Sequence, residues 1–190
     1  MTFNTQTPDD MVQLAIDSMR RGGPNLLNAL NELPAAIYFS NKHGLVTHYN
    51  NACTAFAGRK PRLGQDRWCV TWKLYTEEGQ FLPHDQCPMA VAIREKRAIR
   101  GISAVAERPD GIHVRFTPHP TPLFDDEGNL TGAVNLLLDI TGQTHAQTLR
   151  TQATKCRHLV NLMYDQHSMR TLELMATDYD QRALSIEQAH

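Results

Sequence analysis

Residues 33–58 read LPAAIYFSNKHGLVTHYNNACTAFAG, and the order of elements in this stretch decides the fold. Ala36 to Ser40 is a short apolar run. Asn41-Lys42-His43-Gly44 is a turn, and Leu45 to Tyr49 is a second run. Two short strands about a glycine-containing turn make a hairpin. Asn50-Asn51 then begins a small helix through Phe56, and Gly58 closes it.

Downstream, Arg59 to Pro83 is irregular, with turn signals at Gly64 and Glu77-Glu78-Gly79. A helix is predicted from about Cys87 to Arg97. Three strands are predicted after it. Ile99 to Glu107 is the first, and Arg108-Pro109-Asp110-Gly111 is a hairpin turn. Ile112 to Leu123 is the second, interrupted by Pro118, Pro120 and Pro122, which restrict its later part to an edge or a bulge. Leu130 to Ile140 is the third, and its apolar run marks a buried central strand. The order predicts an α+β fold, a five-stranded antiparallel sheet with helices on one face. A small ligand would sit in the apolar space between the two.

The flanks are helical. Thr7-Pro8-Asp9-Asp10 is a helix start, with Met11, Leu14, Ala15 and Met19 on one face and Gly22-Gly23-Pro24 as the stop. A short helix from Asn25 ends at Pro34. After Thr141 the pattern becomes polar and helical. One helix runs from about Gln143 to Tyr164, with Leu149, Cys156, Leu159, Val160 and Met163 as its apolar stripe. Asp165 to Ser168 is a break. A second helix runs from about Met169 to Glu187, with Leu172, Leu174, Met175, Tyr179 and Ala183 apolar. A C-terminal helical hairpin or a dimerisation element follows from this pattern.

Of the 190 residues, 41% are hydrophobic and 21% charged, which suits one domain with appended elements. A net charge of −1 gives no bulk attraction to nucleic acid or to an anionic membrane. No apolar run reaches the ~20 residues that span a bilayer. The N-terminal stretch lacks a basic segment followed by an apolar one, so no secretory signal is expected and the expected location is cytoplasmic. Cys53, Cys69, Cys87 and Cys156 form no Cys-x-x-Cys pair, and reduced thiols are expected.

The stretch quoted above resembles the opening of a PAS domain. The segment TPLFDDEGNLTGAVNLLLDIT, residues 121–141, resembles its end. The middle, GQDRWCVTWKLYTEEGQFLPHDQCPMAVAIREKRAIRG at 64–101, is similar to a PAS subgroup common in bacterial sensor kinases. The resemblance implies a PAS domain over 33–141, an N-terminal helical segment over 1–32 and a helical tail over 142–190. It implies a signal relay through Asp139 and Thr141, where a PAS strand passes into a signalling helix. A homodimer through the flanking helices and a signalling-protein partner are implied as well. The stretch after Thr141 is too short for a kinase catalytic domain and has no Gly-rich ATP lid. Light-sensing relatives place a reactive cysteine in Asn-Cys-Arg-Phe-Leu; here Cys53 is followed by Thr54-Ala55-Phe56, so flavin is disfavoured.

The segment Pro83-His84-Asp85-Gln86-Cys87-Pro88-Met89 carries the most chemistry. His84 and Cys87 are three apart at a helix entrance, and imidazole and thiolate both ligate haem iron. Haem-binding PAS domains carry an axial histidine on or near this helix, which makes His84 and Cys87 candidate haem ligands, with Asp85 orienting His84. The alternative is structural: Asp85 as a cap, Pro88 in the first turn, Cys87 in the core. His113 and His119 are weaker candidates. Trp68, Trp72 and Met89 are candidate pocket residues, with core packing the favoured reading of the two tryptophans. Arg59, Lys60, Arg62 and Arg67 read as a solvated face, one of them available to an anionic ligand or a haem propionate. Three functions stay open: a sensory module relaying a ligand state, a haem protein acting as a gas or redox sensor or as a small enzyme that breaks down a nitro compound, and a structural adaptor.

Overall fold

The computed structural model describes residues 7–23, 25–160 and 165–188, and the chain divides after Asp139 into two units. In the first, α1 (Pro8–Arg21) starts on a reciprocal cap in which the Thr7 hydroxyl accepts from the Asp10 amide and the Asp10 carboxylate accepts from the Thr7 amide. Gly22 ends it at φ 60°; Pro24, the expected stop, lies outside the described residues. Then follow α2 (Leu26–Asn31), β1 (Ala36–Asn41), β2 (Val46–Tyr49), α3 (Asn51–Ala57), β3 (Lys73–Tyr75), α4 (Pro88–Glu95), β4 (Ala104–Glu107), β5 (His113–Pro118), β6 (Thr121–Phe124) and β7 (Leu130–Asp139).

The strands form one antiparallel sheet in the order β2-β1-β7-β5-β4-β3, with β6 also on β7. Seven strands stand where five are expected. The segment from 59 to 83, read as irregular, contributes β3, a three-residue edge strand on β4. The predicted strand over 112–123 divides into β5 and β6 in one register frame, Pro118 facing Leu137 and Thr121 facing Val134. The prolines remove the donors between them, and the His119 amide, bonded to the Leu136 carbonyl at 2.8 Å, keeps the ladder closed. The strand expected from Ile99 starts only at Ala104. This strand order, with α3 and α4 across one face, is the PAS fold that the sequence resemblance implies.

Alternation along the central strands sorts two cores. Ala36, Tyr38, Ala133 and Leu137 face α3 and α4, meeting Cys53, Phe56, Met89 and Ile93. Ile37, Phe39, Val134 and Leu136 face the other way, onto Met11, Val12, Ala15 and Ile16 of α1. The N-terminal helix therefore covers the sheet face opposite α3 and α4. Each large apolar side chain buried there contributes about 1.5–3 kcal/mol. Arg100 holds the start of α1 in place: it pairs with Asp9 at 2.8 Å and donates to the Pro120 carbonyl and the Thr121 hydroxyl.

The second unit is a helical hairpin of α5 (Thr141–Val160) and α6 (Gln166–Gln188). Its seam is built of small residues, Ala146, Ala153 and Cys156 with Leu149 on α5 and Ala176 and Ala183 on α6. Leu159, Leu174 and Met175, expected in the stripe, are exposed; Met163 and the end at Tyr164 lie outside the described residues. Ion pairs Arg150–Glu187 and Arg157–Asp180 flank the seam. No described helix is long and apolar enough to cross a membrane.

Candidate functional site

The interior between the sheet and α3/α4, expected to hold a ligand, is filled by side chains: Tyr38, Leu74, Met89 and Phe116 are each at most 2% exposed. Concave space lies beside it instead, in a cleft of about 500 Å³ lined by Arg59, Arg62, Gln65, Asp66, Arg67, Trp68, Cys69, Thr71, Trp72, His84 and Asp85. The loop after α3 supplies most of this wall, and the one-turn 3₁₀ helix His84–Gln86 supplies the rest.

Asp66 organises the wall. Its carboxylate is 4% exposed and pairs with Arg59 at 2.8 Å and with Arg62 at 3.0 Å. It also accepts the Arg62 amide at 2.9 Å. Burial opposes its ionisation, but that amide and the two guanidinium groups outweigh burial and hold its carboxyl below the usual range. The Asp66 carbonyl accepts the Val46 amide, which ties the loop to β2. The arginines read as a solvated face are thus partly structural.

Trp68 sits at φ 69°, a conformation that costs a bulky residue about 1–2 kcal/mol. Three contacts hold it there. Its amide donates to the Gly44 carbonyl at 2.8 Å. Its ring lies where a Cβ on Gly44 would stand, 2.1 Å from Cε3. Its carbonyl accepts the Tyr38 hydroxyl at 2.9 Å. The Arg67 guanidinium lies over the ring, 4.8 Å from its centroid. Core packing, the expected role of both tryptophans, does not describe Trp72, which is 44% exposed in the cleft with the Lys73 ammonium over its ring.

From Trp68 a buried polar chain enters the sheet. The Tyr38 hydroxyl, donating to Trp68, accepts from Asn135 Nδ2 at 3.1 Å, and Asn135 Oδ1 accepts the His119 amide at 3.0 Å. Burial, and then the neighbouring Cys69 and Cys87 thiols, push the Tyr38 hydroxyl well above its ordinary pKa, so it acts only as a neutral donor and acceptor. Sequence reading missed Asp66, Tyr38 and Asn135. A buried polar residue on an apolar strand is the one signal Asn135 offers, and its partner Tyr38 is 97 residues away.

The expected site residues divide. His84, Trp68 and Trp72 line the cleft together. Cys87 and Met89 do not: both are 1% exposed in the core. Burial pushes the Cys87 thiol up to about 12, which keeps it protonated. Cys87 also occupies the N-cap of α4, the place expected for Asp85. His84 Nε2 is buried and, among the described residues, has no hydrogen-bond partner. No cluster of three or more potential metal ligands occurs among the described residues. His113 is an exposed strand residue 3.8 Å from Glu107, and His119 is buried at the β5–β6 junction.

His84 and His119 set a pH dependence. Burial first, then the charge of Arg59, lowers the pKa of His84; burial, then Arg100, lowers that of His119. Unfolded histidines titrate near pH 6.5. As pH falls through that value, the unfolded chain takes up protons that the folded chain refuses. The associated stability is complete above pH ~6.5 and declines below it. The melting temperature is expected to fall between about pH 7 and pH 5, with a shallower slope in His119→Gln. Equal slopes in the two proteins would show that His119 does not contribute to the pH dependence.

No family model matches the chain, and no curated protein does. Among solved structures the chain is similar to an RNA-binding light-oxygen-voltage receptor, at 18% identity over 74% of this chain and 36% of that one, TM-score 0.46. It is similar to the PAS domain of the fruit-fly ELK potassium channel, at 11% identity over 66% of this chain and 97% of that one, TM-score 0.49. It is also similar to the Rhodobacter sphaeroides light-oxygen-voltage protein, at 9% identity over 93% of this chain and 98% of that one, TM-score 0.46. The chain spans only 36% of the first of these. At such identities a likeness concerns the fold alone.

Proposed function

We propose that this PAS-fold chain is a sensory module that takes a small ligand in the cleft beside Trp68, Trp72 and His84 and passes its state through β7 into α5. The observation that carries this reading is the buried chain Trp68–Tyr38–Asn135. It links a strained residue of the cleft wall to the central strand, and β7 ends at Asp139, with Ile140 alone before α5 begins at Thr141. A ligand that shifts Trp68 acts on a residue held in a sparsely populated conformation, so release from it would relieve backbone strain. The output is read as a second copy of the chain, or another signalling protein, on the α5–α6 hairpin, whose own seam uses alanines and leaves Leu174 and Met175 outside.

The test removes one oxygen. Tyr38→Phe is expected to speed hydrogen exchange of the Leu138 and Asp139 amides severalfold while leaving α6 unchanged. Unchanged exchange at the end of β7 would leave the cleft without a route to the tail.

Haem is the second reading, supported by the buried, unpartnered Nε2 of His84. The surroundings suit it poorly: the interior is packed, and the cleft wall carries five charged residues, Arg59, Arg62, Asp66, Arg67 and Asp85. A Soret band in purified protein that is lost in His84→Ala would replace the first reading with this one.

A further inference from the structure

The chemistry of the cleft wall narrows what it takes, on the reading that the cleft is the ligand site. We propose that the ligand is a small organic carboxylate. The wall carries three guanidinium groups, from Arg59, Arg62 and Arg67, against two carboxylates, from Asp66 and Asp85. Asp66 is already spent, since it accepts from the Arg62 amide, from Arg62 Nε and Nη2, and from Arg59 Nη1. What remains is an excess of donors and of positive charge. Arg59 Nε is buried without a hydrogen-bond partner among the described residues, as is His84 Nε2. Buried polar groups in folded proteins are ordinarily satisfied, so two unpartnered nitrogens on residues of one cleft wall favour a polar guest towards which those side chains can turn. A carboxylate is acceptor-only and matches guanidinium donors in geometry and charge. Trp72, exposed in the same wall, offers an apolar surface for the body of such an acid.

The chain has two tryptophans, and both line this cleft, so intrinsic fluorescence reads the site directly. The probes are benzoate and its uncharged counterpart benzamide, at matched ionic strength. Benzoate is expected to change tryptophan emission saturably and to bind at least about tenfold more tightly than benzamide. Arg62→Gln leaves Asp66 paired with Arg59 and is expected to weaken benzoate at least about fivefold more than it weakens benzamide. Equal binding of the two probes would keep the cleft as a ligand site and overturn the carboxylate. A response to neither probe, in protein shown by circular dichroism to be folded, would overturn both.

Discussion

Asn50→Ala is expected to destabilise the protein by roughly 3–5 kcal/mol, because four hydrogen bonds of one buried side chain disappear together. Asn50 is 1% exposed. Its Nδ2 donates to the Leu30 carbonyl at 3.0 Å and to the Ala35 carbonyl at 2.8 Å. Its Oδ1 accepts the Ile37 amide at 3.0 Å and the Cys53 amide at 3.3 Å. One amide side chain thus joins the end of α2, the entry to β1 and the N-terminus of α3. Its removal leaves buried carbonyls that water cannot reach, and each such group costs about 1–3 kcal/mol. Asn50→Asp keeps the acceptors but loses both donors and adds a buried charge, so a loss at least as large is expected. Urea denaturation followed by tryptophan emission measures both. A loss under about 1 kcal/mol in Asn50→Ala would show that the three elements hold together without it.

Gly44→Ala carries the second large effect, expected at roughly 2–4 kcal/mol. Gly44 sits at φ 82°, where a side chain is strained, and an added Cβ would lie 2.1 Å from Trp68 Cε3. The ring must leave its place. Because the Trp68 amide and carbonyl are both bonded, displacement of the ring pulls on the contacts that hold its backbone. Stability and tryptophan emission are expected to change together. An unaltered emission spectrum in a destabilised protein would mean that the ring does not rest on Gly44.

The fold was legible where local chemistry decides it. The strand–turn–strand–helix order of residues 33–58 appears as read, down to Asn50 at the N-cap of α3 and Gly58 at φ 63° after it. The Asp165 carboxylate, in the predicted break, accepts the Ser168 amide at the start of α6. What long-range pairing decides was not legible. β3 is three residues long and exists because Lys73 to Tyr75 find Glu107 to Val105. α1 has an apolar face, but nothing local says that it lies on the sheet face away from α3. In the hairpin, alanines hold the seam because close helix approach favours small residues, and a reading that ranks side chains by hydrophobicity selects Leu174 and Met175 instead.

The site divides along the same line. Trp68 and Trp72, in the irregular stretch from Arg59 to Pro83, and His84, just after it, were readable as chemistry-bearing types, and the three line one cleft. Cys87 was attractive by its spacing from His84, but it turns into the core as α4 begins. The chain Trp68–Tyr38–Asn135 joins three segments far apart in sequence, and no spacing rule reports such a contact. Asp66 lies four residues from Arg62, but the loop has no helical period that would predict their pairing.

The proposed relay rests on coupling of Trp68 in the cleft to Asn135 on β7 through the Tyr38 hydroxyl. Its most direct measurement is the indole N–H resonance of Trp68, assigned by comparison with Trp72→Phe, in a cycle of Asn135→Ala and Tyr38→Phe. Asn135→Ala is predicted to shift the Trp68 resonance when the Tyr38 hydroxyl is present and to add no shift when it is absent, with the Trp72 resonance holding its place throughout. A Trp68 resonance unmoved by Asn135→Ala, or moved equally with and without the hydroxyl, would contradict the coupling.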